Sequence, residues 1–461
     1  MTRPLPETFF PAVGKIIPSG WCRLWAFGIV CGFLLLLAGA LAIPFYFESP
    51  SIWYKFGMEK VSLRTGKLMG MGGGLLLLLQ LPLAARLKAL DRIFSLPGLM
   101  RQHRLHAWII AAAALVHPVG VLLSEGTFFV PLEIRYWPEW VGAGLMAIIL
   151  IQVGCSRWRL RLGLAFHVWM NLHRIMGVLI AVLLIVHVLA VSETFSEDGP
   201  PRLAVWIAAG IFALLWALVR SAWVRAGRRP YVVSRIKPVG ADCTGVTLVP
   251  VTAFPFLYAP GQFAYVSFRS RKVSREPHAF TLSSTPSRPG MLQFTIRACG
   301  DWTRHVDRIQ PGDRALVQGP FGRFGHLFTS PGRPLIMIAG GIGITPMLSM
   351  LRFMADENDP RPIILIWSTR TPAHLMFGEE LDLLAVKLTG LRRVPMFTRN
   401  TEDGGQTGRL NRQSLESILH GCDRRSAVFL CGPPLMMDQV RSDLKMLGFP
   451  ARAIFSESFG F

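Results

Sequence analysis

Acidic residues are scarce in this 461-residue chain: 28 Asp and Glu stand against 49 Lys and Arg, for a formal net charge of +21. Charged residues of both signs make up only 17% of the chain, beside 51% hydrophobic residues. That is less charge than a soluble protein of this size carries. Cysteine is sparse as well, with seven residues at 22, 31, 155, 243, 299, 422 and 431. None forms a C-x2-C pair or an iron–sulfur spacing, which argues against a disulfide framework or a cysteine-held cluster. No short apolar segment with a cleavage site is found near residue 1, so no removable signal peptide is expected. After residue 220 no apolar run is long enough to cross a bilayer.

Before residue 220 such runs abound, for example WAFGIVCGFLLLLAGALAIPF (25–45) and MGMGGGLLLLLQLPLAA (69–85). Hydrocarbon about 30 Å thick needs roughly twenty residues of helix, and six segments qualify: about 23–45, 67–85, 105–123, 138–155, 172–191 and 203–220. The basic surplus falls in alternate links. Arg86, Lys88, Arg92, Arg101 and Arg104 lie in one, Arg157, Arg159 and Arg161 in the next, and Arg220, Arg225, Arg228 and Arg229 after the sixth span. The other links carry Glu125, Glu133 and Glu139, then Glu193, Glu197 and Asp198. By the positive-inside rule the N-terminus and everything after residue 220 are cytoplasmic. Topology and contact with the lipid bilayer account for the positive charge, and no nucleic-acid partner is expected.

Two spans share a pattern. HRLHAWIIAAAALVH occupies 103–117 and HRIMGVLIAVLLIVH occupies 173–187. Fourteen residues rise about 21 Å along a helix and return to within roughly 40° of the starting direction. Spans three and five run the same way, so His103 faces His173 at one depth and His117 faces His187 at another. Ionisable groups at membrane depth are costly and mark function. Imidazole is a good ligand for haem iron, and two facing pairs predict two bis-histidine haems b with irons about 20 Å apart. No C-x-x-C-H sequence points to covalent c-type haem. A proton channel is the competing reading, but AWIIAAAALV and MGVLIAVLLIV are dry between the histidines.

After Arg229 the pattern changes to short alternating stretches such as YVVSRIKPVG and GVTLVPV, which predict a small antiparallel β-barrel. Beyond about residue 332, PLIMIAG, IILIWST and AVFLCG alternate with helical segments, as in a doubly wound α/β domain. The expected organisation is a cytoplasmic N-terminal segment (1–22), an all-α six-helix transmembrane bundle (23–220), a basic linker (221–229), a β-barrel domain (230–331) and a nucleotide domain (332–461). GGIGITP follows a strand and leads into a helix, so its glycines allow a dinucleotide phosphate to approach the helix N-terminus.

PGQFAYVSF (260–268), HAFTLSS (278–284), IRACGDWT (296–303), GPFG (319–322), GGIGITPML (340–348) and CGPPLM (431–436) occur in that order behind the paired histidines. Nearly the whole chain thereby resembles the NADPH oxidase and ferric reductase superfamily, in a bacterial-type form. The resemblance implies that His278, Phe280, Thr281 and Ser283 hold FAD, with Ala279 replacing the family's usual proline. It implies that Arg297 and the turn Gly300–Thr303 clamp the FAD pyrophosphate. Gly340, Gly341, Gly343, Thr345 and Pro346 are expected at the nucleotide phosphates. Cys431 and Gly432 lie where the family's nicotinamide meets the flavin. Arg370, with Arg399 as a second candidate, is expected at a 2′-phosphate, which favours NADPH over NADH. The resemblance also implies that Phe461 stacks on the flavin and moves aside for nicotinamide.

The expected function is transfer of electrons from NADPH through FAD and two haems b to the outer side of a bacterial inner membrane. Dioxygen, giving superoxide, ranks first as acceptor, a ferric chelate second and a periplasmic redox protein third. Arg64, near the start of the second span, is the one cation expected to steady superoxide charge. The stronger reading of the same arginine is a snorkelling interfacial residue. The oligomeric state is left open.

Overall fold

The computed structural model describes residues 19–48, 51–191, 193–196, 198–227, 230–252, 256–270, 272–288, 290–399 and 406–458. It divides into two compact units, with the break near residue 222.

The first unit is built from long helices, because backbone in hydrocarbon must satisfy its own hydrogen bonds. The spans, one to six, are Ser19–Tyr46, Gly57–Ala84, Leu96–Ser124, Trp137–Arg157, Phe166–Val191 and Pro200–Gly227. All six are long and apolar enough to cross a membrane. Large apolar side chains such as Leu35, Leu36, Ile175 and Leu214 lie exposed on them, as on a surface that faces lipid. The second span begins ten residues before its apolar run, since the polar stretch Gly57–Gly66 continues the helix beyond it. Span six extends to Gly227, so most of the expected linker 221–229 is helical: SAWVRA contains no residue that stops a helix. Spans two and three approach through small residues. A Cβ at Gly120 would stand 2.8 Å from the Gly66 Cα, and one at Gly73 would stand 3.1 Å from the Ala113 Cβ, a close packing that glycine permits.

The second unit holds two sheets. The first comprises β1 (Pro230–Gly240), β2 (Cys243–Pro250), β3 (Phe263–Arg269), β4 (His278–Thr281), β5 (Leu292–Arg297) and β6 (Arg314–Phe321). Its strands run antiparallel in the order β4-β3-β6-β1-β2-β5. The two edge strands meet where Leu282 bridges Phe294 and the Ser283 N–H donates to the Gln293 carbonyl at 2.9 Å. Alternate inward residues, among them Val246, Leu248, Phe268, Phe294 and Ile296, form the core it encloses.

The second sheet comprises β7 (Leu335–Gly340), β8 (Ile363–Thr369), β9 (Leu391–Phe397), β10 (Gln406–Thr407), β11 (Ala427–Cys431) and β12 (Ile454–Glu457). It is parallel, in the order β10-β9-β8-β7-β11-β12. The central strands β7, β8 and β11 are buried on both faces. Met337, Leu365 and Phe429 pack against the helix Ile344–Asp356, while Ile336, Ile338, Val428 and Leu430 pack towards Val440 and Leu444 of the helix Pro434–Met446. The direction of winding reverses between β7 and β11, and in such sheets ligands bind at the carboxyl ends of the strands flanking that point.

Candidate functional site

The four membrane histidines come together as two couples. The ring centroids of His103 and His173 are 6.1 Å apart, and those of His117 and His187 are 6.2 Å apart. An imidazole centroid lies roughly 1 Å inside its nitrogens and a metal–imidazole bond is about 2 Å, so two rings on opposite sides of one ion stand about 6 Å apart. Both couples meet that spacing.

The second nitrogens supply an independent check. His117 Nδ1 lies 2.8 Å from the Gly66 carbonyl, and His187 Nδ1 lies 2.9 Å from the Pro138 carbonyl. A carbonyl only accepts, so each Nδ1 carries the proton and each Nε2 keeps its lone pair for a metal. In the other couple His173 Nδ1 lies 3.4 Å from Ser156 Oγ, whose own proton goes to the Gln152 carbonyl at 2.7 Å. The hydroxyl therefore accepts from His173, as it does from Trp169 Nε1 at 3.3 Å. His103 Nδ1 is buried against the backbone of Gln80 without a bond of standard geometry. Glycines make room for the rings: a Cβ at Gly70 would lie 2.8 Å from His117 Nδ1, and one at Gly142 would lie 2.5 Å from His187 Cε1. Between the couples Ile110, Leu145, Ile149 and Ile180 form a dry layer. This donor set fits two irons, each held by two histidines.

Arg64 is not a free cation. It pairs with Glu48, and Lys55 and Lys60 approach the same carboxylate at 3.9 and 3.8 Å. Its guanidinium also lies 4.8 Å from the centre of the Phe45 ring.

In the antiparallel sheet, His278 and Phe280 stand on β4 with Ala279 in regular pairing opposite Tyr265. The His278 ring stacks on Trp302 at 4.4 Å and its Nε2 lies 3.3 Å from Glu276. Burial lowers the pKa of its imidazole against the upward pull of that carboxylate. The Thr281 hydroxyl is buried without a partner among the described residues, as a group awaiting a ligand would be. Ser283 instead donates to the Gln293 carbonyl at 3.1 Å. Arg297 Nε donates to Asp242 at 2.6 Å, and its Nη1 lies 3.7 Å from the position of a Cβ at Gly341. Thr303 Oγ1 accepts from the amides of Cys299 and Gly300 at 3.0 and 2.8 Å, fixing the turn beside that arginine.

Gly340, Gly341 and Gly343 end β7, and Cys431 and Gly432 end β11, on the two sides of the winding reversal. The two loops touch. A Cβ at Gly343 would lie 2.2 Å from the Cys431 carbonyl, and one at Gly340 would lie 2.7 Å from Pro433. Trp367 Nε1 donates to the Gly341 carbonyl at 3.0 Å, and Thr345 Oγ1 to the Ile342 carbonyl at 3.0 Å; Pro346 is buried beside it. Cys431 is fully buried, and burial, then the Glu457 carboxylate, pushes its thiol well above the usual range. Arg370 and Arg399 are exposed neighbours at the ends of β8 and β9, the Arg399 N–H donating to the Arg370 carbonyl at 3.1 Å. Phe461 lies outside the described residues.

Three family models match the chain in succession: a ferric reductase like transmembrane component over residues 69–185, an FAD-binding domain over 237–312 and an oxidoreductase NAD-binding domain over 337–442. The chain has the architecture of the NADPH oxidase and ferric reductase superfamily. The reductase component of propane 2-monooxygenase from Rhodococcus jostii is 29% identical over 49% of this chain and 62% of its own length. The flavohemoprotein of Bordetella pertussis is 31% identical over 51% of this chain and 61% of its own. The chain thus spans less than two thirds of these relatives. The FAD/NAD binding domain of nitric oxide dioxygenase from Vibrio cholerae O1 biovar El Tor superposes with a TM-score of 0.45 at 22% identity, over 50% of this chain and 99% of that one.

Within that superfamily architecture, several contributors carry no signal in the sequence. The carbonyls of Gly66 and Pro138 belong to the backbone, and Asp242, Ser156 and Trp367 are distant in sequence from the groups they orient.

Proposed function

We propose that the protein carries electrons across a membrane, from NADPH at the glycine loop, by way of FAD at the antiparallel sheet and a haem b at each histidine couple, to an acceptor on the far side. The observation that carries this reading is the pair of imidazole couples at one spacing, with three of the four Nδ1 atoms facing groups that can accept their protons. When bound, FAD supplies acceptance of a hydride and release of single electrons, and haem iron supplies one-electron relay.

The chain's own residues do the holding. His103 and His173 would hold one haem, and His117 and His187 the other. An acceptor would take its electron on the far side, beside the His117/His187 couple. Thr281, His278 and Phe280 line the flavin ring, and Arg297, held by Asp242, faces the pyrophosphate. Gly340, Gly341 and Gly343 admit the nucleotide phosphates, Thr345 and Pro346 fix the helix start, and Arg370 and Arg399 bind the 2′-phosphate. Cys431 and Gly432 would floor the nicotinamide site, and the flavin-covering role expected of Phe461 falls outside the described residues. The basic links support a cytoplasmic second unit in a bacterial cell, with the His117/His187 end outward.

Dioxygen, reduced to superoxide, is the acceptor this reading ranks first. A ferric chelate is the second, favoured by the three cations that Lys55, Lys60 and Arg64 bring to Glu48, which leave that end of the second span positive. The test is anaerobic reduction of the purified protein by NADPH, followed by oxygen or a membrane-impermeant ferric chelate in separate mixes. Faster reoxidation by oxygen supports the first reading, and faster reoxidation by the chelate replaces it with the second. Discharge by neither turns the acceptor into a periplasmic redox protein.

A further inference from the structure

The helix Ile344–Asp356 begins where the glycine loop ends. One of its faces grips the segment that follows β4. Ser349 Oγ donates to the Ser284 carbonyl at 2.7 Å, Arg352 Nη1 donates to the Ser283 carbonyl at 2.6 Å, and Thr285 Oγ1 donates to Asp356 at 2.9 Å. Residues 349, 352 and 356 lie on one face by helical spacing, and residues 283 to 285 are consecutive. All of Ser283, Ser284, Thr285 and Ser349 are buried.

Arg352 is the centre of this grip. Its Nε and Nη2 form a fork to Glu380 at 2.6 and 2.8 Å, and its Nη1 also reaches Gln293 Oε1 of β5 at 2.9 Å. Four of the bonds that five guanidinium protons can make are thereby made, with acceptors in both sheets' territories. Phe377 covers the guanidinium at 5.8 Å from a left-handed backbone, φ 60°, a conformation that persists only where the surroundings fix it. The ion pair itself, with the Glu380 side chain 37% exposed, is worth little stability. What a rigid fork supplies is a fixed direction and distance.

We infer that Arg352 is a positioning residue for hydride transfer: it sets the nucleotide loop relative to the flavin-bearing strand by locking the helix behind that loop to Ser283 and Gln293. Glu380 orients the fork. This rests on the assignment of flavin to β4 and of nucleotide to the glycine loop. Misplacement of reacting atoms by about 1 Å lowers rates on the order of a hundredfold, and a slackened grip moves the two sites by amounts of that kind.

The test uses full-length protein loaded with FAD, with flavin bleaching by NADPH followed by anaerobic stopped flow for wild type, Arg352→Lys, Arg352→Met and Glu380→Gln. The expected result for Arg352→Met is bleaching slowed about tenfold or more, with NADPH affinity changed less than threefold. A deuterium isotope effect with NADPH labelled at the transferred position should accompany it, and Arg352→Lys should recover part of the rate. Should Arg352→Met fail to hold FAD, Arg352→Lys and Glu380→Gln carry the test, each expected to slow bleaching severalfold with FAD bound. Wild-type bleaching in flavin-loaded variants overturns the proposal, as does a slowing that follows only loss of thermal stability. If the wild-type chain itself shows no bleaching by NADPH, the underlying assignment fails and the proposal falls with it.

Discussion

A Cβ placed on Gly142 would stand 2.5 Å from the Cε1 of His187. The fourth span thus seats an imidazole of the fifth on bare backbone, while the neighbouring Pro138 carbonyl takes its proton at 2.9 Å. Gly142→Ala must therefore tilt the ring or part the helices. The expected outcome is loss of one of two haems per chain in a pyridine haemochromogen assay. Gly144→Ala, on the same helix with nothing among the described residues within 4 Å of its Cβ, should keep both.

Nucleotide choice is expected to rest on Arg370 and Arg399. A hydrogen bond to a charged group is worth about 1.5–3 kcal/mol, so removing either arginine should raise KM for NADPH roughly ten- to a hundredfold. KM for NADH should change little. Steady-state kinetics with both nucleotides decides this, and equal effects on the two would remove both residues from the 2′-phosphate.

His326 makes the stability of the second unit depend on acid. It is 3% exposed, its Nδ1 lacks a partner among the described residues, and burial, helped by the nearby Arg361, lowers its pKa to about 3. A folded pKa below the unfolded value of about 6.5 means that the unfolded chain takes up a proton that the folded chain refuses. Stability is then whole above pH 6.5 and falls as pH drops towards 3, by up to about 1.4 kcal/mol per pH unit. Chemical denaturation of His326→Gln and wild type across that window should show a flatter profile for the variant.

Asp242 is expected to act through Arg297. Burial raises the pKa of its carboxyl, but the bonds from Arg297 and Cys243 outweigh that and hold it below the usual range. The ion pair is thus present above the ordinary carboxylate pKa and is lost as pH falls through the depressed one. Asp242→Asn should loosen the guanidinium and weaken FAD retention several-fold at neutral pH, read as free flavin after gel filtration. Unchanged retention would leave the pair with a packing role only.

Much of this was legible in the sequence, for physical reasons. Lipid forces apolar runs, so six spans could be counted, and the repeated fourteen-residue interval placed both histidine couples at matching depths. Hydropathy marks hydrocarbon and not helix, which is why the second span starts at Gly57 although its apolar run begins later, and why the sixth passes into the expected linker. Motif glycines announced the nucleotide loop because a close backbone approach demands them. Gly70 and Gly142 gave no such notice, since glycine is frequent in membrane helices. The grip of Arg352 was equally silent: Ser283, Gln293 and Glu380 are scattered along the chain and meet only after folding. Arg64 looked like a lone cation because its partner Glu48 lies beyond the end of the first span, in the link before the second.

The most direct measurement is the reduced-minus-oxidised visible spectrum of purified protein, with wild type compared with His103→Ala, His173→Ala, His117→Ala and His187→Ala in a redox titration. Two haem b components are expected. His103→Ala and His173→Ala should remove the same one, and His117→Ala and His187→Ala the other. A colourless wild-type membrane unit, or variants whose losses do not sort into those two couples, would contradict the account.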